Sequence, residues 1–234
     1  MNPIESRGHW DPALLSSILS SSTAPDAMIE LRTACGFKSL VHKSLLCCYS
    51  PYYSVAINGE FVESKSTSFE IELSKPQAEM LICWLYSGRL SDHLLRPDTE
   101  DLIHLYVFGD KTDIAALRRR IMIALVNRRG VYMSHQSTIM IINSLPVSSH
   151  LYSFAVDWYV HHWMPALAEN GDWEPVWQDL PKDFLFTVMC GFAEIRADCQ
   201  ALCNCCNNPC FYHDHETHEE WAACKSCILS LYRN

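Results

Sequence analysis

Residues 41–64 read VHKSLLCCYSPYYSVAINGEFVES, and the Ser50-Pro51 pair in the middle constrains the chain more than any other feature. Proline carries no N–H, and its ring pushes the preceding residue out of α geometry. One continuous helix through this apolar stretch is therefore excluded. Proline is nevertheless well suited to the first position of a new helix. The stretch predicts two short helices, HKSLLCCYS and PYYSVAING, meeting at Ser50.

The flanking segments predict the remaining elements. Upstream, DAMIELRTACGFKSLVH reads as two short strands around a turn at Cys35-Gly36. Further upstream, DPALLSSILSSS spaces Leu14, Leu15, Ile18 and Leu19 as a helix does, with Asp11 as cap and Pro12 at the first position. Downstream, SFEIEL alternates like a strand. KPQAEMLICWLYSG begins near a proline and closes at Gly88, the usual helix asymmetry. Two more helices follow in RPDTEDLIHLYVFGDKTDIAALRRRIMIALVNRRG, the first with Asp98, Glu100 and Asp101 at its positive end. Leu45, Leu46, Tyr53, Trp84, Leu85, Leu105, Val107 and Leu117 recur at core spacings. A small sheet covered by a helical cluster is the simplest way to bury them, which places the chain in the α+β class.

After Gly130 the composition changes. Residues 131–198 hold eight acids and two bases. Their runs QSTIMIINSL, SSHLYSFAVDWYVHHWM and PKDFLFTVMCGFAEIR predict a mostly helical extension. Trp158, Trp163, Trp173 and Trp177 are expected to be packing within it rather than a binding face. With a formal net charge of -9, the chain is a poor candidate for nucleic-acid or anionic-membrane binding. Lys111, Arg118, Arg119, Arg120, Arg128 and Arg129 read as a solvated helix face. The first residues, MNPIESRGHWDPALLSSILSSS, carry no secretory pattern, and there is no run of 18 apolar residues. An intracellular, nuclear or cytoplasmic setting is the expectation, and there clustered cysteines favour metal over disulfides.

The stretch 41–64 resembles the His-Lys, Leu, Ser-Pro-aromatic, Gly-x-Phe-x-Glu-Ser signature of BTB/POZ domains, and LYVFGDKTDIAALRRRIMIAL resembles the helical pair that closes that domain in its fungal form. Ser39, in place of a large aromatic, and Gly109, in place of an alanine, depart from the pattern. The resemblance covers residues 24–130 as a BTB/POZ domain; periodicity and composition set apart an N-terminal helix (1–23), a helical extension (131–198) and a Cys/His-rich tail (199–234). The resemblance further implies an interaction module and no enzyme. The expected partners are proteins: a second copy, through an N-terminal helix that crosses to the partner subunit in many members, or in some members a cullin-type ubiquitin ligase scaffold. His42 and Lys43 are then structural, since no nucleophile, acid partner or glycine loop accompanies them.

The tail, CNCCNNPCFYHDHETHEEWAACKSC over residues 203–227, packs six of the chain's 12 cysteines and three of its 11 histidines into one stretch. Thiolates and imidazoles suit Zn2+. Two ligand patterns compete for Cys224. Cys203, Cys206, Cys224 and Cys227 form two Cys-x2-Cys pairs separated by 17 residues, a spacing that suits a four-cysteine site. Cys210, His213 and His215 closed by Cys224 resemble a tail of fungal BTB proteins, which implies a two-cysteine, two-histidine clamp; this set is the expected one. His218 is expected at the surface. Four protein ligands leave no open coordination position, so the metal would be structural.

Other functions fit less well. A metal-dependent hydrolase built on HDHETH needs further ligands on later strands, and only 16 residues follow His218. A zinc deaminase needs His-x-Glu ahead of Pro-Cys-x-x-Cys, whereas Pro209-Cys210 precedes the histidines. A transcription regulator binding DNA through the tail is opposed by Asp214, Glu216, Glu219 and Glu220 against Lys225 and Arg233. Cys47 and Cys48 lie in an apolar helix, where inert thiols are expected.

Overall fold

The computed structural model describes residues 10–21, 28–60, 66–90, 97–128, 131, 133–163, 180–197, 209–212, 218 and 221–222. The chain divides into two compact units, residues 1–121 and 122–234, with the division inside a helix (115–126) rather than at Gly130.

The first unit is built on a three-stranded sheet. β1 (Met28–Thr33) pairs antiparallel with β2 (Lys38–His42), placing Ile29 opposite Val41 and Leu31 opposite Ser39. Gly36, at φ +86°, makes the turn between them, its N–H donating to the Thr33 carbonyl at 2.9 Å. β3 (Ser68–Ile71) runs parallel to β1 on its other side, giving the order β2-β1-β3. Ile29, Leu31, Val41, Phe69 and Ile71 are buried, so alternation along each strand presents one apolar face to the interior.

Between β2 and β3 lie the two short helices that the proline demands, α2 (Lys43–Tyr49) and α3 (Pro51–Asn58). α4 (Lys75–Ser87) opens with a reciprocal capping box between Ser74 and Gln77 and closes at Gly88 with φ +68°. A Cβ at Gly88 would lie 2.7 Å from the Trp10 ring, whose Nε1 donates to the Leu85 carbonyl at 3.1 Å. The start of α1 (Pro12–Ser21) is thereby pinned to the end of α4. α5 (Thr99–Lys111), capped by Asp98, and α6 (Ala115–Val126) follow. Gly109 lets α6 come close: a Cβ there would meet Arg118 Cγ at 3.3 Å. All eight expected core residues are buried. Trp84 sits among them, its ring 5.2 Å from that of Tyr49. The α+β expectation, a small sheet covered by helices, describes this unit.

In the second unit the helices are α7 (His135–Ser144), α8 (His150–His162) and α9 (Lys182–Ala197), with a 3-10 turn at Pro209–Tyr212. α8 is apolar on most of its circumference and is accordingly wrapped. Tyr159 donates to Thr138 on α7 at 3.2 Å, and its ring meets Phe184 of α9 edge-on at 5.4 Å. Trp158 is buried, with Nε1 donating to the Val131 carbonyl at 2.8 Å. It is packing, as expected; Trp173 and Trp177 lie outside the described residues. Among the described residues no helix is long and apolar enough to cross a membrane.

Candidate interaction surface and metal-ligating tail

The Ser-Pro junction organises the first unit. Ser50 ends α2 and caps α3, accepting from the Tyr53 N–H at 3.1 Å. The same hydroxyl donates to the Thr112 carbonyl at the end of α5, at 2.5 Å. One fully buried side chain thus satisfies a helix start and a helix end that are 62 positions apart in sequence.

His42 stands where β2 passes into α2. Its backbone N–H donates to the Tyr86 hydroxyl at 3.1 Å, and its Nδ1 lies 2.8 Å from the same oxygen. The two side chains make this contact whichever imidazole nitrogen carries the proton. Burial raises the Tyr86 pKa, so the phenol keeps its proton at neutral pH. This is a structural clasp. His42→Ala is expected to cost about 1 kcal/mol of stability, one net hydrogen bond, and Tyr86→Phe more, because it also strands the His42 N–H. Urea unfolding of the two variants checks this; the reverse order would disprove the clasp.

Several side chains considered for chemistry are otherwise engaged. Lys111 pairs with Glu72 at 2.7 Å, and Arg118 reaches Asp110 at 2.5 Å and Asp113 at 3.5 Å. These bases face acids, not an open phosphate site. Burial pushes the Cys47 thiol up, away from thiolate.

The unit also presents apolar side chains to solvent. Along α1, Leu14, Leu15 and Ile18 are only half-buried and Leu19 is exposed. Leu40 on edge strand β2, and Tyr52 and Val55 on α3, are exposed as well. Among the described residues, none covers this apolar face of α1 fully.

Of the four expected zinc ligands only Cys210 falls within the described residues. His213, His215 and Cys224 lie outside them, as do the alternative ligands Cys203, Cys206 and Cys227. Among the described residues, no group of three or more His, Cys, Asp or Glu is placed to hold a metal. Cys210 is half-buried in the 3-10 turn. Two residues on, Tyr212 is fully buried, its ring edge-on to Phe154 at 5.4 Å and its hydroxyl donating to Asp157 Oδ2 at 2.5 Å. The turn is thereby anchored to α8. The sequence reading missed this anchor; its one signal was an aromatic pair inside an otherwise hydrophilic stretch. His218 is exposed and stacked on Trp221, with ring centroids 5.4 Å apart.

Compared with known families, residues 16–128 match the BTB/POZ domain. The match begins within α1, so it takes in part of the helix that the sequence reading set apart as residues 1–23. No curated protein matches the chain.

Proposed function

We propose, from the BTB/POZ domain over residues 16–128, that this chain is a protein–protein interaction module that pairs with a second copy and docks protein partners, not an enzyme. The observation that carries the pairing is the face of α1. Leu14, Leu15, Ile18 and Leu19 are spaced to be buried, yet none of them is buried in the single chain. A two-fold symmetric contact covers such a face on both subunits at once. A cullin-type scaffold is one partner class consistent with the domain. An intracellular location fits this reading.

Light scattering at micromolar concentration is expected to give a dimer or a multiple of it. Leu15→Glu with Ile18→Glu should remove that pairing, because two charges from each subunit would then have to be buried. A clean monomer for the unaltered chain overturns the proposal.

The reading extends to the rest of the chain. The helical segment 131–198 supports the tail, residues 199–234. One structural Zn2+ is held there by Cys210, His213, His215 and Cys224, with Cys203, Cys206 and Cys227 as the alternative donors alongside Cys224. The support is the donor chemistry together with the position of Cys210, in a turn that Tyr212 locks onto α8.

A further inference from the structure

The hairpin geometry fixes which way each main-chain group of β2 points. The Thr33 N–H donates to the Phe37 carbonyl at 3.0 Å, so these two residues form a bonded pair across the strands. In an antiparallel ladder bonded and non-bonded pairs alternate. Leu31 with Ser39 and Ile29 with Val41 are then the next bonded pairs, and the N–H and C=O of Lys38, Leu40 and His42 point away from β1. The His42 N–H agrees with this, since it donates to Tyr86 on α4 rather than to β1. β2 is an edge strand, and the Tyr86 hydroxyl closes its outer edge at His42. Short of that point, nothing among the described residues bonds to the outward groups of Lys38 and Leu40. Their side chains stand on the solvent face of the sheet. Leu40 is 60% exposed, and Lys38 is exposed with no acidic partner among the described residues. Arg32, directly opposite Lys38 on β1, is already held by Glu30.

Resting on the reading that the chain docks protein partners, we propose that this edge takes up an extended peptide segment of such a partner as a fourth strand, with an apolar residue beside Leu40 and an Asp or Glu two positions away beside Lys38. Two outward residues offer two N–H donors and two carbonyl acceptors to that strand. The main-chain bonds supply affinity, and the alternate side chains supply specificity. Charge selects the occupant. A second copy related by a two-fold axis fits in no register. Pairing Lys38 with Lys38 opposes like charges. Pairing Leu40 with Leu40 sets Lys38 against His42, whose N–H Tyr86 already holds. Pairing Lys38 with Leu40 leaves both lysines without a carboxylate. Lysine on an edge strand guards against pairing between copies. It leaves the edge open to a strand that carries a carboxylate at the matching position.

The test selects displayed random heptapeptides on the full chain. The selected peptides are expected to carry Asp or Glu two positions from an apolar residue. Selection on the Lys38→Glu chain should exchange that acid for Lys or Arg, an outcome that a merely structural Lys38 could not give. A synthetic copy of a selected peptide should bind Lys38→Glu and Leu40→Pro about tenfold more weakly than the parent. Leu40→Pro removes an outward N–H that makes no ladder bond, and Lys38→Glu changes an exposed side chain, so the circular dichroism of both should match the parent. Lys38→Glu decides alone should Leu40→Pro disturb the fold. Peptides bound equally by parent and variants would leave the docking reading standing and overturn the β2 site. Binding lost instead in the Leu15→Glu, Ile18→Glu chain would place the peptides on α1 and overturn it too. No selected peptide at all, with the chain still dimeric by light scattering, would overturn the β2 site and leave the pairing intact.

Discussion

Ser50→Ala is expected to destabilise the first unit by about 2–4 kcal/mol: roughly 1 kcal/mol for the lost helix cap, and the remainder for a buried carbonyl left without a donor. The hydroxyl it removes serves both the Tyr53 N–H and the Thr112 carbonyl at a fully buried position. Ser16→Ala on α1, where the hydroxyl only bonds back to the Pro12 carbonyl in solvent, is the matched control and should stay within about 0.5 kcal/mol of the parent. Urea unfolding of the full chain, followed by tryptophan fluorescence, reads both. A loss below about 1 kcal/mol for Ser50→Ala would show that the junction is held by apolar packing alone.

Substitution of the tail ligands is expected to be all-or-none. Protein purified without added metal should carry one zinc per chain, and Cys210→Ser and Cys224→Ser should each carry none. Removing one of four ligands from a closed tetrahedral site forfeits most of the binding energy. Acidification should release the metal from the parent protein, because thiolates and neutral imidazoles must be deprotonated to bind. Zinc that survives both substitutions would move the site to other donors, and a parent protein free of zinc would end the metal reading. Tyr212→Phe is informative beside them. It keeps the buried ring but strands Asp157, so it should loosen the turn by about 1–2 kcal/mol without removing a ligand.

Much of the first unit was legible in the residues because its signals are local. Proline 51 forces a break wherever the chain goes. Gly88, which closes α4, adopts a positive φ that other residues resist. Alternation in SFEIEL marks a strand from its own sequence. The helices of 131–198 followed from periodicity in the same way. For the proposed metal site, residue chemistry and spacing narrowed the donors to two sets sharing Cys224, and they could go no further, since choosing between the sets depends on where the chain folds back.

What tertiary structure alone decided are the long-range pairings. Nothing in SFEIEL says that it lies parallel to β1 and next to it, because strand register is set by a partner almost 40 residues away. The break at Ser50-Pro51 was readable, but not the bonds of the Ser50 hydroxyl to the Tyr53 N–H and the Thr112 carbonyl. Trp10 under Gly88, and Tyr212 with Asp157, are likewise contacts between distant positions, and local spacing carries no trace of them. α9 shows the limit most clearly. Its sequence calls for burial all round, but periodicity reports which faces are apolar and not what covers them. The fold covers one face with α8 and leaves Phe186 and Met189 to solvent.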